Sequence, residues 1–81
     1  MKIKYFAWVK DITKKDYELI ESNYPKNINE LKKFLNKSYP ELEKHINSNI
    51  LRYAINMEYI YINQELFPSD TIAIFPPVSG G

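Results

Sequence analysis

The chain contains no cysteine. Disulfides, thiolate metal sites, a cysteine nucleophile and sulfur held on a protein thiol are therefore excluded. Glycine is almost absent as well, since its two copies are the adjacent Gly80 and Gly81. Turns must be built from Asn, Asp, Ser and Pro, and no Gly-rich phosphate loop precedes residue 80. The one histidine, His45, sits in the polar run Glu43-Lys44-His45 and reads as a solvated side chain, not a general base. No apolar run approaches the roughly 18 residues of a membrane-spanning helix. Residues 1–10 alternate polar and apolar, unlike the core of a signal peptide, so the expected location is the cytoplasm, with no membrane partner. Eleven Lys and Arg against ten Asp and Glu give a net charge of +1, spread along the whole chain. That pattern lacks the concentrated basic face nucleic-acid binding needs. No metal site is expected.

What is present fits one small domain with a modest core: 81 residues, 44% hydrophobic and 26% charged. Residues 2–10 read as a strand with Ile3, Tyr5, Ala7 and Val9 on one face and Phe6 and Trp8 among lysines on the other. Residues 11–16 suit a turn, and Tyr17 and Leu19 alternate with Glu18 in a second short strand, giving a hairpin. A helix is predicted after Asn27, which caps it with Glu30 three residues on. Ile28, Leu31, Phe34 and Leu35 form its apolar stripe. Pro40 interrupts it, and Leu42 and Ile46 suggest a further turn or two. Three β-like segments follow, at 51–56, 58–62 and 71–75. The order β-β-α-β-β-β suits an α+β roll: a mixed sheet, one main helix packed on one face, and first and last strands paired in parallel.

The ending Phe75-Pro76-Pro77-Val78-Ser79-Gly80-Gly81 departs from everything before it. Pro76 and Pro77 cannot continue a central ladder, and their fixed φ favours an extended form rising about 3.1 Å per residue. Residues 76–81 are thus expected to project roughly 15–20 Å from a domain at 1–75. Gly80 and Gly81 have no side chains, so the tip fits a channel too narrow for other residues. The shape suits delivery of a terminal carboxylate into a partner's active site. On these features alone, a working tail and an ordinary frayed end both stand.

The strand order and this ending resemble the ubiquitin-like β-grasp sulfur carriers, and specifically the MoaD family, the small subunits of molybdopterin synthase. The specific part is Phe-Pro-Pro-Val-Ser-Gly-Gly at 75–81, with weaker support from Phe6-Ala7 and Ala54-Ile55-Asn56. The resemblance implies that a ubiquitin-activating-like adenylyltransferase (MoeB-like) uses ATP to adenylate the Gly81 carboxyl group. Sulfur then replaces AMP, and the thiocarboxylate enters a large subunit (MoaE-like) that transfers the sulfur to a cyclic pyranopterin phosphate. It implies no cofactor bound by the chain itself, two small and two large subunits, and catalytic groups supplied by the partners. It also points to Phe6, Tyr59 and Phe75 as facing the large subunit. Trp8 is expected beside them, and Pro76, Pro77, Val78 and Ser79 lead the tail inward. A carrier for another pathway, such as the thiazole-forming ThiS-like carriers, a protein modifier joined through Gly81, and a plain interaction module remain open alternatives.

Overall fold

The computed structural model describes residues 1–77. Of the tail expected at 76–81, Val78, Ser79, Gly80 and Gly81 lie outside the described residues.

Alternation makes β1 (Lys2–Tyr5), which buries Ile3 and Tyr5 and turns Lys4 to solvent. The last strand, β5 (Thr71–Phe75), has the same pattern, with Ile72 and Ile74 fully buried. The two pair in parallel at the centre of the sheet, Ile3 opposite Ile72 and Tyr5 opposite Ile74. On one side β2 (Tyr17–Leu19) runs antiparallel to β1. On the other, β3 (Arg52–Ile55) pairs antiparallel with β5 and with β4 (Glu58–Ile60). The sheet order is β2-β1-β5-β3-β4, so the expected α+β, ubiquitin-like β-grasp arrangement is the one found.

The main helix, here α2, spans Ile28–Ser38. Asn27 Oδ1 accepts from the Glu30 N–H at 2.9 Å, and Glu30 returns a bond from the Lys26 N–H at 3.2 Å. This reciprocal cap satisfies two backbone donors near the helix start. Ile28, Leu31 and Leu35 are buried against Ile3, Ile72, Ile74 and Tyr53 of the sheet. Deleting a side chain as enclosed as Leu31 costs about 2–5 kcal/mol in such cores. Pro40 then opens a 3₁₀ turn (Pro40–Leu42) that leads into a short helix, α3 (Glu43–Asn47), and these bury Leu42 and Ile46.

Two local expectations are corrected. The first strand ends at Tyr5, and a six-residue helix, α1 (Trp8–Thr13), replaces its second half and the turn expected after it. Val9 and Thr13 are buried and Ile12 packs beside them, a spacing of three and four that fits a helix as well as Val9 fits alternation. The second strand pairs as expected, but α1 makes much of the connection where a turn over residues 11–16 was expected. Its apolar residues also point outward: Tyr17 and Leu19 are exposed, while Glu18 lies opposite Ile3 on the helix side.

Glu18 is tolerated there because it is bonded on several sides. It accepts from the Tyr5 hydroxyl at 2.9 Å and from the Tyr39 hydroxyl, and the Lys15 ammonium lies 3.5 Å away. A half-buried carboxylate with charge-assisted bonds offsets its desolvation. The same burial, together with the Glu18 charge, pushes the Tyr5 phenol far above its ordinary value. Burial alone takes Tyr53 to about 12, and burial with the Glu18 bond raises Tyr39. These folded-state values are raised, so the native state holds more protons than the unfolded chain above the ordinary tyrosine value of 10.0. The stabilisation is complete below that pH and is lost as pH rises toward the folded-state values. Urea unfolding should therefore give a steady midpoint near neutrality and a falling one above pH about 10. Tyr5→Phe should cost about 1–2 kcal/mol at neutral pH and flatten the alkaline fall. A variant with unchanged stability would show that the Glu18 bond contributes nothing.

Candidate functional site

The face of the sheet away from α2 carries the alternate residues of each strand. Ala54 of β3 lies directly opposite Ala73 of β5, and Tyr59 of β4 lies opposite Ala54. Two small side chains side by side leave a depression, and the aromatics around them wall it. The Tyr59 and Phe75 rings are 5.5 Å apart and inclined by 41°, the tilted contact such rings favour.

Phe6 closes the third side through an unusual backbone. Its N–H donates to the Ile74 carbonyl at 3.1 Å, carrying the pairing with β5 one residue beyond the strand. Ala7 then takes φ 53° and ψ −136°, turning the chain into α1. That conformation is costless for glycine and strained for a residue with a Cβ. Phe6 is left 45% exposed, beside Phe75. Met57, the second residue of the two-residue β3–β4 turn, adds a 96% exposed side chain at the rim. Asn56 and Met57 have φ of 49° and 73°, the doubly positive pattern of a hairpin turn that suits the strand twist. Asn56 holds this turn to the root of β5: its amide donates to Asp70 Oδ1 and its carbonyl accepts from the Thr71 N–H, each at 3.0 Å.

Together these residues enclose an open, mainly apolar hollow of about 630 Å³, with Pro76 and Pro77 at its mouth. The described chain thus leaves the sheet along the hollow's edge. Among the described residues lining it, the Tyr59 hydroxyl is the one polar side-chain group. The hollow offers mainly apolar contact. Among the described residues no group of three or more His, Asp or Glu could hold a metal ion, and no helix is long and apolar enough to cross a membrane.

The structure brings Phe6, Tyr59, Phe75, Pro76 and Pro77 together, as the strand alternation and the resemblance suggested. Trp8 is not among them. As the first residue of α1 it turns away, and its ring lies 4.5 Å from that of His45 on α3. His45 is correspondingly half-buried, where a solvated side chain was expected. A strand would have put Trp8 on the Phe6 side, whereas a helix rotates each residue by about 100°. Val78, Ser79, Gly80 and Gly81 are outside the described residues. Ala7, Ala54 and Met57 went unnoticed as lining residues. The Asn56-Met57 pair between two short β-like runs was the one available hint of Met57's position.

A β-grasp sheet with its helix on one face and an apolar hollow on the other defines a ubiquitin-like domain. The chain belongs to the ThiS family, which residues 3–81 match. It is 36% identical over 83 residues to the molybdopterin synthase sulfur carrier subunit of Dictyostelium discoideum, across 99% of this chain and 94% of that one. Among solved structures it is similar to a protein described as molybdopterin converting factor subunit 1 of Pyrococcus furiosus, with TM-score 0.80, 25% identity and 95% of each chain covered. It is also similar to the small archaeal modifier protein 1 of Methanosarcina acetivorans, with TM-score 0.76, 26% identity, and 99% and 94% of the two chains covered. Within its family the chain thus stands with the sulfur carriers of the molybdopterin synthase small-subunit type.

The positive φ values supply a stability test. Ala7→Gly and Met57→Gly should each stabilise the fold by about 0.5–1 kcal/mol, because neither loses much packing and each relieves a left-handed backbone. Urea denaturation measures this directly, and a loss of stability in both would show that neither position is strained.

Proposed function

We propose that Gly81 is the working residue of this carrier. Its carboxylate attacks ATP on a ubiquitin-activating-like adenylyltransferase, forming an acyl-adenylate and releasing pyrophosphate. A hydrosulfide equivalent then displaces AMP and leaves a Gly81 thiocarboxylate. The loaded tail enters the large subunit of molybdopterin synthase. There its sulfur forms a C–S bond to a cyclic pyranopterin monophosphate, and water cleaves the acyl–S bond to restore the carboxylate. The chain binds no cofactor in this reading, since ATP is held and spent by the activating enzyme. The assembly is a heterotetramer of two small and two large subunits, acting in the cytoplasm.

The observation that carries the proposal is the 36% identity with a sulfur carrier subunit across 99% of the chain. The geometry supports it. Phe6, Tyr59 and Phe75 surround a hollow at the root of the tail, so docking there fixes where the tail starts. Pro76 and Pro77 limit the conformations lost on insertion, Val78 and Ser79 extend the reach, and Gly80 keeps the approach slim. The absence of cysteine leaves the terminus as the place for this chain to carry sulfur. Trp8, turned toward His45, takes no part in the hollow.

Intact mass tests the chemistry. Incubation with ATP, the activating enzyme of the same organism and sulfide should add about 16 Da as –OH becomes –SH. No gain with an enzyme shown to be active would overturn the proposal. Deleting Gly80 and Gly81 should abolish loading while leaving docking intact. Phe75→Ala should weaken binding to the large subunit by about 2 kcal/mol, roughly 30-fold, as loss of a central aromatic contact does. The similarity to the archaeal modifier protein favours a second reading, in which the activated Gly81 is joined to amines of other proteins. Adducts linked to lysine through Gly81, with no thiocarboxylate, would select it.

A further inference from the structure

The hollow occupies one end of a larger surface. Strand register places Lys2 and Lys4 of β1 and Arg52 of β3 on the same side of the sheet as Ala73 and Phe75. Tyr17 and Leu19 of β2 extend it to the far edge, where they are 51% and 59% exposed and the Lys2 ammonium lies 4.5 Å from the Tyr17 ring centre. Among the described strand residues, no carboxylate lies on this side. The two in strands, Glu18 and Glu58, sit opposite the core residues Ile3 and Ile55 and so belong to the helix side. The described strands of a protein of net charge +1 thus place three cations and no carboxylate on the open sheet face.

Lys2, Lys4 and Arg52 form no ion pair among the described residues. Among the described residues the ion pairs are Lys10–Asp16 and Lys15–Glu18. Arg52 is also held in place: its Nη1 donates to the Asn49 carbonyl at 3.0 Å, which fixes one edge of the guanidinium and leaves other N–H groups free. Arg52 stands opposite Phe75 and Lys4 opposite Ala73, so the charged surface is continuous with the hollow. Apolar contact alone is non-directional, whereas charges placed around it select partner and orientation.

We propose that Lys2, Lys4 and Arg52 form a cationic docking rim that pairs with Asp and Glu side chains on the large synthase subunit. The rim orients the domain while the hollow supplies apolar contact. This rests on the large subunit being the partner that receives the tail.

Titration calorimetry of the full chain with the large subunit of the same organism tests it, at about 50 mM and about 300 mM NaCl. Wild-type affinity should fall on adding salt. Lys2→Glu with Lys4→Glu should weaken low-salt binding roughly tenfold or more and remove most of the salt dependence, with the corresponding Gln variant intermediate. Phe75→Ala should weaken binding about equally at both salt concentrations. Melting curves check folding, and Arg52→Gln, which should also reduce the salt dependence, serves if the double variant does not fold. Charge-reversed protein that binds like wild type, while Phe75→Ala still weakens binding, overturns the rim and leaves the carrier reading intact. Wild-type protein that does not bind the large subunit at either salt concentration overturns both.

Discussion

The parallel ladder between β1 and β5 is the constraint on which the rest depends. It joins residues about seventy positions apart, Lys2 to Thr71 and Tyr5 to Ile74. Such a pair needs a long crossover, and α2 with the segments around it provides one. Closing so long a loop costs chain entropy, offset here by burying Ile3, Tyr5, Ile72 and Ile74 together. The register also decides what faces out. A slip of one residue along β5 would turn Ile72 and Ile74 to solvent and Phe75 into the core.

The ladder divides the molecule into two sides with different work. The helix side holds the buried core and, unexpectedly, a carboxylate. Glu18 is bound by two tyrosines, Tyr5 from the neighbouring strand and Tyr39 from the end of α2. That pairing links an edge strand to the far end of the helix and explains why β2 turns its apolar residues outward. The open side contributes little packing. Its aromatics, alanines and cations are therefore less constrained by the core, and Pro76-Pro77 leaves the end of β5 beside them.

Sequence reasoning succeeded where local signals and tertiary context agreed. β5 was read residue for residue, because strict alternation at 71–75 is stopped by Pro76. α2 was legible from Asn27, Glu30 and the stripe of Ile28, Leu31 and Leu35. The same alternation grouped Phe6 and Phe75, together with Trp8, while Tyr59 was pointed to by the resemblance alone. α1 was not legible: six residues make fewer than two turns, no side chain caps its start, and Val9 satisfies both periods. Trp8 was misplaced for that reason, and His45 with it, since its ring partner comes from α1. The inward turn of Glu18 depends on Tyr39, twenty-one residues away, which no local pattern reveals. The lack of glycine, by contrast, had a visible cost. Asn23, Asn49 and Asn56 take three of the left-handed positions, and Ala7, Lys14 and Met57 take the others.

The central ladder also has a mechanical meaning. β1 and β5 run side by side in the same direction, one near the start of the chain and the other at the root of the tail. Tension between the amino end and the tail therefore pulls the strands past each other. The rungs Lys2 to Thr71 through Tyr5 to Ile74, with the Phe6 bond beyond them, share that load in shear instead of opening one by one. A pull applied between Met1 and Pro77 thus runs along the paired strands and loads their rungs together.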